Sequence, residues 1–575
     1  MVMYIRPVYV RKNGKRHAYW ALVESYRTDR GPRQRVVAYL GQAEKARRKG
    51  VRRAAQAAEA SQGDLYDDIA AEWVEVDTKR VRSERVRAFG GPWLGLALMK
   101  QLDLPSFLNS AIPTGREEIE WPLMAAVLVL CRLCDPSSEL SIAEHGYGAS
   151  ALPDLLGIPP DKVNDDRLYR TLDVLLPHKQ ALEKHLKTKL GELFDLKYDL
   201  LLYDVTSTYF EGEAAANPLA QRGYSRDSRP DCKQVCIGLV VSRCGMPLGY
   251  EVFEGNRHDS TTVEHIVQAI ESRYGQADRI WAMDRGMVSE DNVHFLRQSG
   301  RRYILGTPKS LLKKYEQHIV AATDWQRIRD GLEVKLCPVT GCDETFILCR
   351  SRERGEKEKA IHARFAQRIE QQLVKMQQTC RTRKQTIPVV ERRIGRLLER
   401  NSRGANLFDI RVTQSDGRAT IEWSKNETQN EWADLSDGCY ILRTNVTGWT
   451  AQELWQAYIQ LTQAEHAFRI HKSDLDIRPI WHQTAGRVQA HIFVCFLAYV
   501  LWKTLEQLCR RAGLGDEPRR IFSEIANVRS VDIVLPTRDG REIRKRCVVR
   551  PTEHQAILLQ RLGLRLPSHL KMHDM

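Results

Sequence analysis

The stretch YDLLLYDVTSTYF, residues 198–210, carries apolar side chains at both alternating sets of positions. A strand with this pattern is typical of the middle of a sheet that is covered on both faces. Asp204 stands toward its far end, where a carboxylate is costly to ionise unless a cation or several hydrogen-bond donors compensate its charge. The stretch therefore predicts a central strand with an acid near its end.

Further strands and helices follow this stretch in an informative order. Turn-forming residues separate them, and the first two strands extend the central strand as an antiparallel meander. The order β-β-β-α-β-α-β is that of an RNase H-like sheet with helices on its faces, so an α/β fold class is predicted. The elements are QVCIGLVV at 234–241, PLGYEVFE at 247–254, a helix at 261–275, RIWAMD at 279–284, a helix at about 289–298 and RRYILGT at 301–307.

Composition and periodicity divide the chain into five regions. A strong hairpin signal at Asn13-Gly14 predicts a small β unit at the start, and a run of helices broken by Pro and Gly follows it. The regions are 1–88, a basic β unit with a helical linker; 89–196, a helical module expected to bind DNA; 197–309, the first part of the RNase H-like core; 310–449, an insertion that is mainly β with a long basic helix; and 450–575, with the helix of a third acid, further core helices and the tail.

The composition excludes several classes of protein. The 575 residues are 42% hydrophobic and 28% charged, which is ordinary for a folded chain. The longest apolar run, Ile492–Trp502, has 11 residues, fewer than the roughly 18 to 20 that cross a bilayer. Without an export signal, the sequence predicts a soluble cytoplasmic protein with no membrane partner. The 13 cysteines are expected to be free thiols, and His491 a hydrogen-bonded core residue.

Positive charge is in excess and unevenly distributed. Lysine and arginine total 88 against 73 acidic residues, a net charge of +15, which favours a polyanionic partner such as nucleic acid. Residues 351–403 hold 15 Lys or Arg and 6 Asp or Glu. Ile361, Phe365 and Ile369 follow helical spacing there, so one helix face packs and the other is basic. A solvated helix face is the competing interpretation.

A second acid, Asp284, ends the strand RIWAMD just before a glycine turn. In an RNase H-like topology the first and fourth strands are neighbours, which would bring Asp204 and Asp284 within a few ångströms of each other. Two carboxylates held that close raise one pKa strongly unless a divalent cation removes the conflict. The pair is therefore interpreted as a metal site. The alternative is that each Asp caps the turn or helix that follows it.

A third acid is expected on a helix, which Thr450 and Glu453 cap and which is predicted to run to about Lys472. At 3.6 residues per turn, one stripe of this helix presents an aromatic residue, an acid and two cations. The acid could complete a metal site while the cations hold phosphate oxygens, or it could form an ordinary surface ion pair with Arg469. The stripe consists of Tyr458, Leu461, Glu465, Arg469 and Lys472.

Six motifs, in order along the chain, resemble the DDE transposases of bacterial insertion sequences, specifically the branch with a Y-(2)-R-(3)-E-(6)-K signature. The N-terminal YIRPVYVRKNGKRHAYWALVESYR is similar to the same branch. The resemblance extends from about residue 3 to about residue 510. The motifs are LLYDVTSTYFEG, GYSRDSRPDCKQV, YEVFEGNRHDSTT, AMDRGMVSEDN, DGCYILRTN and the helix with Tyr458, Glu465 and Lys472.

The resemblance implies that Asp204, Asp284 and Glu465 form a catalytic triad that binds two Mg²⁺ or Mn²⁺ ions. Carboxylate oxygens suit these hard cations, and two metals can serve both the attacking and the leaving oxygen. The implied enzyme is a DNA transposase, which cleaves element ends and joins the 3′ hydroxyl to a target. Its partners would be double-stranded DNA, as terminal repeats and as target, and a second copy of the chain in a homodimer, acting at the bacterial nucleoid.

Tyr458 and Lys472 match the signature tyrosine and lysine and are expected to contact DNA, whereas Leu461 stands where the signature has arginine. Arg469 could take over part of the DNA contact that this arginine would make. Lys233 and Arg285 are further candidate phosphate contacts, or else solvated side chains. Two other functions stay open: an RNase H-like nuclease that cuts without joining, and an inactive DNA-binding relic, which Leu461 favours.

Overall fold

The computed structural model describes residues 2–12, 15–28, 31–41, 74–338, 343–415 and 417–570. The predicted turn at Asn13-Gly14 and most of the predicted linker lie outside these residues. The predicted N-terminal β unit is an antiparallel sheet with the strand order β1-β2-β3. Its strands are β1 (Val2–Lys12), β2 (Lys15–Thr28) and β3 (Gly31–Gly41).

Helices dominate residues 89–196, as predicted. Pro122 lies in the first turn of the most buried helix, where its missing N–H would be unpaired in any case. Cys131 and Cys134 lie in the same helix, and the cysteines of the described residues are free thiols. After strand β4 (Arg82–Ala88), the longer helices are α1 (Gly90–Gln101), α2 (Leu104–Ala111), α3 (Trp121–Cys134), α4 (Asp165–Leu175) and α5 (Lys179–Phe194).

A mixed sheet of nine strands forms the centre of the protein. Its strands are β5 (Leu200–Tyr209), β6 (Gln234–Ser242), β7 (Pro247–Glu254), β8 (Ile280–Met283), β9 (Arg302–Gly306), β10 (Gln326–Arg329), β11 (Leu332–Pro338), β12 (Thr345–Ser351) and β15 (Cys439–Thr444). Their order is β10-β11-β12-β15-β9-β8-β5-β6-β7. Strand β5 pairs in parallel with β8 and antiparallel with β6, and β8 pairs in parallel with β9.

Strand β5 is buried on both faces, as its apolar pattern predicts. Leu200 and Leu202 belong to the core that includes α13 (Ala485–Arg511). Leu201 and Tyr203 face the other side, where α6 (Val263–Tyr274) and α7 (Glu290–Gln298) pack. Because side chains alternate along a strand, Asp204 lies on the α13 side of the sheet.

The insertion differs from its prediction as a mainly β unit. Its longest elements are the helices α8 (Arg352–Thr382), with 31 residues, and α9 (Ile387–Arg400), with 14. Strands β10, β11, β12 and β15 extend the central sheet, because β9 offers its open edge to β15. The hairpin of β13 (Phe408–Ser415) and β14 (Arg418–Lys425) packs on α8 and α9 instead, and α10 (Glu427–Ser436) leads back to β15.

The predicted single helix from Thr450 to Lys472 is wrong, because the chain forms two helices there. The capping box of Thr450 and Glu453 is present as predicted. The break comes at Leu461, whose N–H donates to the Tyr458 carbonyl at 3.0 Å, the tighter spacing of a 3₁₀ turn. Leu461 is 8% exposed and belongs to the main core, so it does not face solvent as Glu465 does. The helices are α11 (Ala451–Ile459) and α12 (Thr462–Ser473).

Helix α13 is long and apolar enough to cross a membrane by length and composition. However, 94% of its apolar window is buried inside the protein. It packs against α3 and α4 as the central helix of the main core. Burial of this kind is characteristic of a core helix.

The C-terminal residues form a second small sheet with a strand from the N-terminal region. Strand β4 pairs with β16, and the sheet order is β18-β17-β16-β4. The first predicted region, 1–88, is therefore joined by backbone hydrogen bonds to the last one. The elements are α14 (Pro518–Ala526), β16 (Arg529–Pro536), β17 (Glu542–Val548), α15 (Glu553–Arg561) and β18 (His569–Leu570).

Candidate active site

Asp204 and Asp284 occupy equivalent positions on neighbouring parallel strands. Tyr203 of β5 pairs with Met283 of β8. Asp204 is the residue after Tyr203, and Asp284 is the residue after Met283. Asp284 keeps an extended backbone, with φ −76° and ψ 166°. Since paired strands are about 4.8 Å apart and residues in equal register point to the same face, the two acids lie side by side.

The carboxylate of Asp204 is half-buried and has one backbone donor. Its Oδ1 accepts a hydrogen bond from the Val205 N–H at 2.8 Å. Burial is the largest cause that raises the pKa of Asp204 to about 7, and the negative charges of Asp284 and Glu465 raise it further. The Val205 bond and the charge of Arg226 act in the opposite direction. Asp204 is therefore held in a place that disfavours its charge unless a cation is bound.

Asp284 is exposed and receives a hydrogen bond from a distant helix. The hydroxyl of Tyr458 on α11 donates to its Oδ1 at 3.2 Å. Burial raises the pKa of Tyr458, and the charge of Asp284 raises it further, so the phenol stays a donor. A Cβ at Gly306 would overlap the Tyr458 hydroxyl oxygen and lie 3.0 Å from the Arg285 amide nitrogen. Glycine at the end of β9 thus makes room for this contact.

Glu465 lies on the exposed side of α12, whose other side is apolar. Ala464, Ala467 and Phe468 are buried, so the helix is fixed against the core while Glu465 points outward. Glu465, Asp284 and Tyr458 line one cavity of about 510 Å³, here called the carboxylate pocket. The pocket is also lined by the cations Arg285, Lys309, Arg354 and Lys357.

Two of the three predicted acids are adjacent in the sheet, and the third lines the same pocket as one of them. Asp204 and Asp284 follow paired residues of β5 and β8, and Glu465 of α12 lines the carboxylate pocket together with Asp284. Three carboxylates with few compensating donors are the ligand set that hard divalent cations prefer. The chemistry of the residues therefore fits the divalent metal use that the resemblance implies.

A second group of metal-ligand residue types lies in the core. Ligand atoms of Glu139, His482 and His491 are within 4.8 Å of one another, and all three residues are buried. His491 Nε2 hydrogen-bonds the Ile477 carbonyl at 3.2 Å, which confirms the predicted core histidine. Burial lowers the pKa of His491 to about 3, and the guanidinium of Arg132 lowers it further. A cation already occupies this neighbourhood, so the group is better explained as a buried hydrogen-bonded cluster.

The other residues of the predicted stripe have different surroundings. Lys472 Nζ donates to Asp227 Oδ1 at 2.8 Å, and Arg478 also pairs with Asp227, whose side chain is 2% exposed. Lys472 thus neutralises a buried acid. Arg469 is exposed on α12, and within the described ranges no ion pair joins it to Glu465, so the surface-pair alternative is not formed.

Lys233 and Arg285, the two further candidates for phosphate contact, have different surroundings. Lys233 Nζ donates to the Glu213 carbonyl at 2.8 Å, which engages it within its own loop. Arg285 is exposed and lines the carboxylate pocket, where a phosphate could reach it.

Sequence reasoning missed several charged residues near the acids. Arg226 makes a two-pronged contact with Asp259, at 2.5 and 2.6 Å, and its charge acts on Asp204. The motif GYSRDSRPDCKQV contains both Arg226 and Asp227, but no helical or strand periodicity in this segment indicates that either residue lies near the acids. Lys309 and Arg354 were missed because Lys309 lies at the end of the first core region and Arg354 in the insertion, and both reach the pocket only through folding.

Comparison with known proteins identifies two matching families. Residues 195–501 match the family described as the transposase DDE domain, and residues 5–69 match the N-terminal domain of the IS1634 family of transposases. No curated protein matches the chain. Among solved structures, a piggyBac transposase synaptic complex with hairpin DNA is similar at 9% identity with a TM-score of 0.35, over 79% of this chain and 82% of that one.

Proposed function

The chain belongs to the transposase DDE domain family, as an insertion-sequence transposase, and from this premise we propose that Asp204, Asp284 and Glu465 are its catalytic triad. The observation that carries the proposal is the shared register of the two aspartates on β5 and β8, with Glu465 lining the same cavity as Asp284. Acids from three separate elements suit phosphodiester chemistry, because together they can hold the metal ions that serve the attacking and leaving oxygens.

The five strands β9-β8-β5-β6-β7 form an RNase H-like layout in this proposal. Support comes from the parallel pairs β5–β8 and β8–β9 and the antiparallel meander β5-β6-β7. This layout places the ends of the first and fourth strands beside each other. The four strands of the insertion then continue the sheet beyond β9.

Asp204, Asp284 and Glu465 would hold two Mg²⁺ or Mn²⁺ ions, which when bound activate the attacking oxygen and stabilise the leaving one. Tyr458 fixes the orientation of Asp284 through its hydroxyl. The positive charge of Arg226 lowers the pKa of Asp204 and so favours its charged form. The ion pairs of Asp227 with Lys472 and Arg478 tie α12 to the loop that carries Arg226.

Two successive displacements make up the reaction. In the first, water attacks the phosphorus at an element end and breaks its bond to O3′, which frees a 3′ hydroxyl. In the second, that hydroxyl attacks a phosphorus of the target and displaces another O3′. No side chain needs to bond to phosphorus, so no covalent protein–DNA intermediate is part of the mechanism.

DNA is held on both sides of the acids in this proposal. Arg285 lines the carboxylate pocket, and Arg469 lies one helical turn after Glu465; both are exposed and would contact phosphates. The N-terminal sheet and the helical module recognise the terminal repeats. Because two ends must be joined to one target, the active form on DNA is a homodimer.

Strand transfer in vitro tests the function. Donor DNA with the element's own ends, target plasmid and Mg²⁺ should yield covalent donor–target joints with the wild-type chain. Asp204→Asn, Asp284→Asn and Glu465→Gln should abolish both cleavage and joining while DNA binding in EDTA persists. Full activity of Asp204→Asn would overturn the triad, and cleavage without joints would favour the nuclease.

The inactive-relic alternative depended on Leu461, which is a core residue. The guanidinium of Arg354 lies 4.8 Å from the Tyr440 ring, and both residues line the carboxylate pocket. A guanidinium is therefore present beside the acids without arginine at position 461, which supports an active enzyme.

A further inference from the structure

Lys472, which matches the signature lysine, is directed into the protein. Its side chain is 13% exposed, and its Nζ donates to Asp227 Oδ1 at 2.8 Å. Together with Thr206, Phe468 and Ile477 it lines a void of about 10 Å³, which has room for about one water molecule. The ammonium is therefore engaged with an internal acid rather than presented to a ligand.

Asp227 is the buried centre of this contact. Its side chain is 2% exposed, and Arg478 pairs with the same carboxylate oxygen as Lys472. A buried acid that loses its cations is strongly destabilising, so these contacts are kept as long as the acid stays buried. Lys472 lies in the last turn of α12 and Arg478 just beyond it, so Asp227 holds this end of the helix.

The loop of residues 211–233, which carries Asp227, joins β5 to β6 and consists of turns and extended segments. Its N–H at Arg226 donates to Ser207 Oγ of β5 at 3.3 Å. The Arg226 guanidinium contacts both carboxylate oxygens of Asp259, at 2.5 and 2.6 Å. A segment with few backbone hydrogen bonds of its own depends on such side-chain contacts for its position.

The contact with Asp259 leads to the turn that follows the second acid. A Cβ at Gly286 would lie 3.6 Å from Asp259 Oδ2. Asn292 Nδ2 donates to the carbonyls of Ser260 and Met287, each at 2.7 Å, and so ties the segment of Asp259 to the turn of Gly286. The loop is thereby connected to the turn after β8.

One loop thus connects the three elements that carry the acids. It reaches β5 through Ser207, the turn after β8 through Asp259, and α12 through Lys472. Lys472 lies about two turns after Glu465 on the same side of α12. Its contact with the loop therefore also restrains the rotation of α12 and the direction of Glu465.

We propose that Lys472 is a positioning residue, which through Asp227 holds the loop of Arg226 across the three elements of the triad and does not contact DNA. The proposal rests on the proposed function, because the relative positions of the acids matter only if they act together. Direct contact with a DNA phosphate, which the family signature implies for this lysine, is the competing role.

Limited trypsin digestion of the full chain, without DNA or metal, tests the position of the loop. Mass spectrometry follows cleavage after Arg226. Lys472→Met and Asp227→Asn should each speed this cleavage about tenfold, since a local opening is more populated once a closing contact is lost. Arg469→Ala removes an exposed cation one turn earlier on α12 and should leave the loop protected. Unchanged protection in Lys472→Met would overturn the proposal.

The salt dependence of DNA binding separates positioning from phosphate contact. Fluorescence anisotropy in EDTA with a labelled duplex of an element end gives the slope of log K against log salt concentration. A lost phosphate contact to duplex DNA lowers this slope by about 0.9. Lys472→Met should keep the wild-type slope, and a loss of about 0.9 would overturn the proposal. Neither this measurement nor the digestion requires cleavage, so both decide the role of Lys472 even if the triad is not catalytic.

Single-turnover cleavage shows whether Lys472 acts through Asp227. Asp227→Asn leaves the lysine in place, so phosphate contact by Lys472 predicts an unchanged rate. Positioning predicts a roughly tenfold loss in Asp227→Asn and in Lys472→Met, with no further loss in the double variant, because the two residues act as a unit. Full activity of Asp227→Asn, or losses that multiply in the double variant, would overturn the proposal.

Melting temperatures of the variants establish that each one is folded before its rate is compared. Where Lys472→Met does not fold, Asp227→Asn decides the question alone, since the two roles of Lys472 predict different rates for it. A wild-type chain that does not cleave its element ends would contradict the proposed function instead.

Discussion

The hydroxyl of Tyr458 donates a hydrogen bond of 3.2 Å to Oδ1 of Asp284, across 174 residues of chain. The bond connects the capped helix α11 to the end of β8. It passes over Gly306, where any side chain would collide with the phenol. Asp284, although exposed, is thereby fixed in direction before a metal or DNA binds.

Removal of this hydrogen bond should slow cleavage without unfolding the protein. Tyr458→Phe keeps the ring but leaves Asp284 free to rotate. A hydrogen bond to a charged group contributes about 1.5 kcal/mol, so we expect a roughly tenfold lower single-turnover rate. Tyr224, which is 84% exposed, gives the control Tyr224→Phe. Equal rates for the two variants would contradict the positioning role.

A methyl group at Gly306 should damage both the pocket and the fold. Gly306→Ala forces Tyr458 or Arg285 to move, at a cost of about 1–3 kcal/mol for overpacking. The melting temperature and the cleavage rate should both fall. Gly395→Ala is the control, because nothing lies within 4 Å of its Cβ on α9. That variant should be neutral or slightly more stable.

Loss of Asp227 should destabilise the contact between α12 and the loop that carries Arg226. Asp227→Ala leaves Lys472 and Arg478 without their shared partner, which for a buried pair costs about 3 kcal/mol. Asp231→Ala removes an acid whose side chain is 64% exposed, and such surface pairs contribute about 1 kcal/mol or less. Thermal unfolding of both variants measures the difference. Equal shifts would show that the Asp227 cluster is not structural.

Metal binding should depend on the proton of Asp204. Its pKa is raised from 3.8 to about 7, so between these values the metal-free folded chain holds a proton that the unfolded chain has lost. Stability without metal should therefore fall as pH rises toward 7 and stay level above it. Mg²⁺ must displace this proton, so its effect on the melting temperature should grow as pH rises through 7.

Asp204→Asn supplies the control for this pH dependence. The amide neither titrates nor binds a divalent cation well, so the variant should lack the slope between pH 4 and 7 and respond weakly to Mg²⁺ at every pH. Thermal shift assays across this range, with Mg²⁺ or EDTA, measure both quantities. A wild-type slope in Asp204→Asn would assign the titration to another group.

Arginine at position 461 should not improve the enzyme. Leu461 is 8% exposed in the main core, and an unpaired guanidinium there is costly to bury. We expect Leu461→Arg to lower the melting temperature strongly and to give no gain in cleavage. Leu461→Met, which conserves volume, should cost less than about 1.5 kcal/mol. Higher activity of Leu461→Arg would show that the position reaches DNA.

Much of the central fold is predictable because its signals are local. The apolar residues of β5 alternate on both faces, and the box of Thr450 and Glu453 starts α11 as expected. The parallel pairing of β5 with β8 follows from the order of the elements. The register that aligns Asp204 with Asp284 follows from their positions near the strand ends.

The insertion and the helix break are less predictable, because long-range contacts decide them. Strands β10, β11, β12 and β15 join the central sheet through the edge of β9 rather than by any property of their own sequence. Leu461 does not lie on the predicted stripe because its side chain packs in the main core and a 3₁₀ turn at this residue interrupts the helix.

By itself, the sequence determined which acids belong to the family pattern and which strand and helix carry them, since motif order and periodicity are written along the chain. Only the tertiary structure decided that Tyr458 restrains Asp284, that Lys472 is occupied by Asp227, and that α8 turns a basic face toward the acids. Those relationships join residues far apart in the chain. Their partners are selected by packing and burial, which no local pattern of residues encodes.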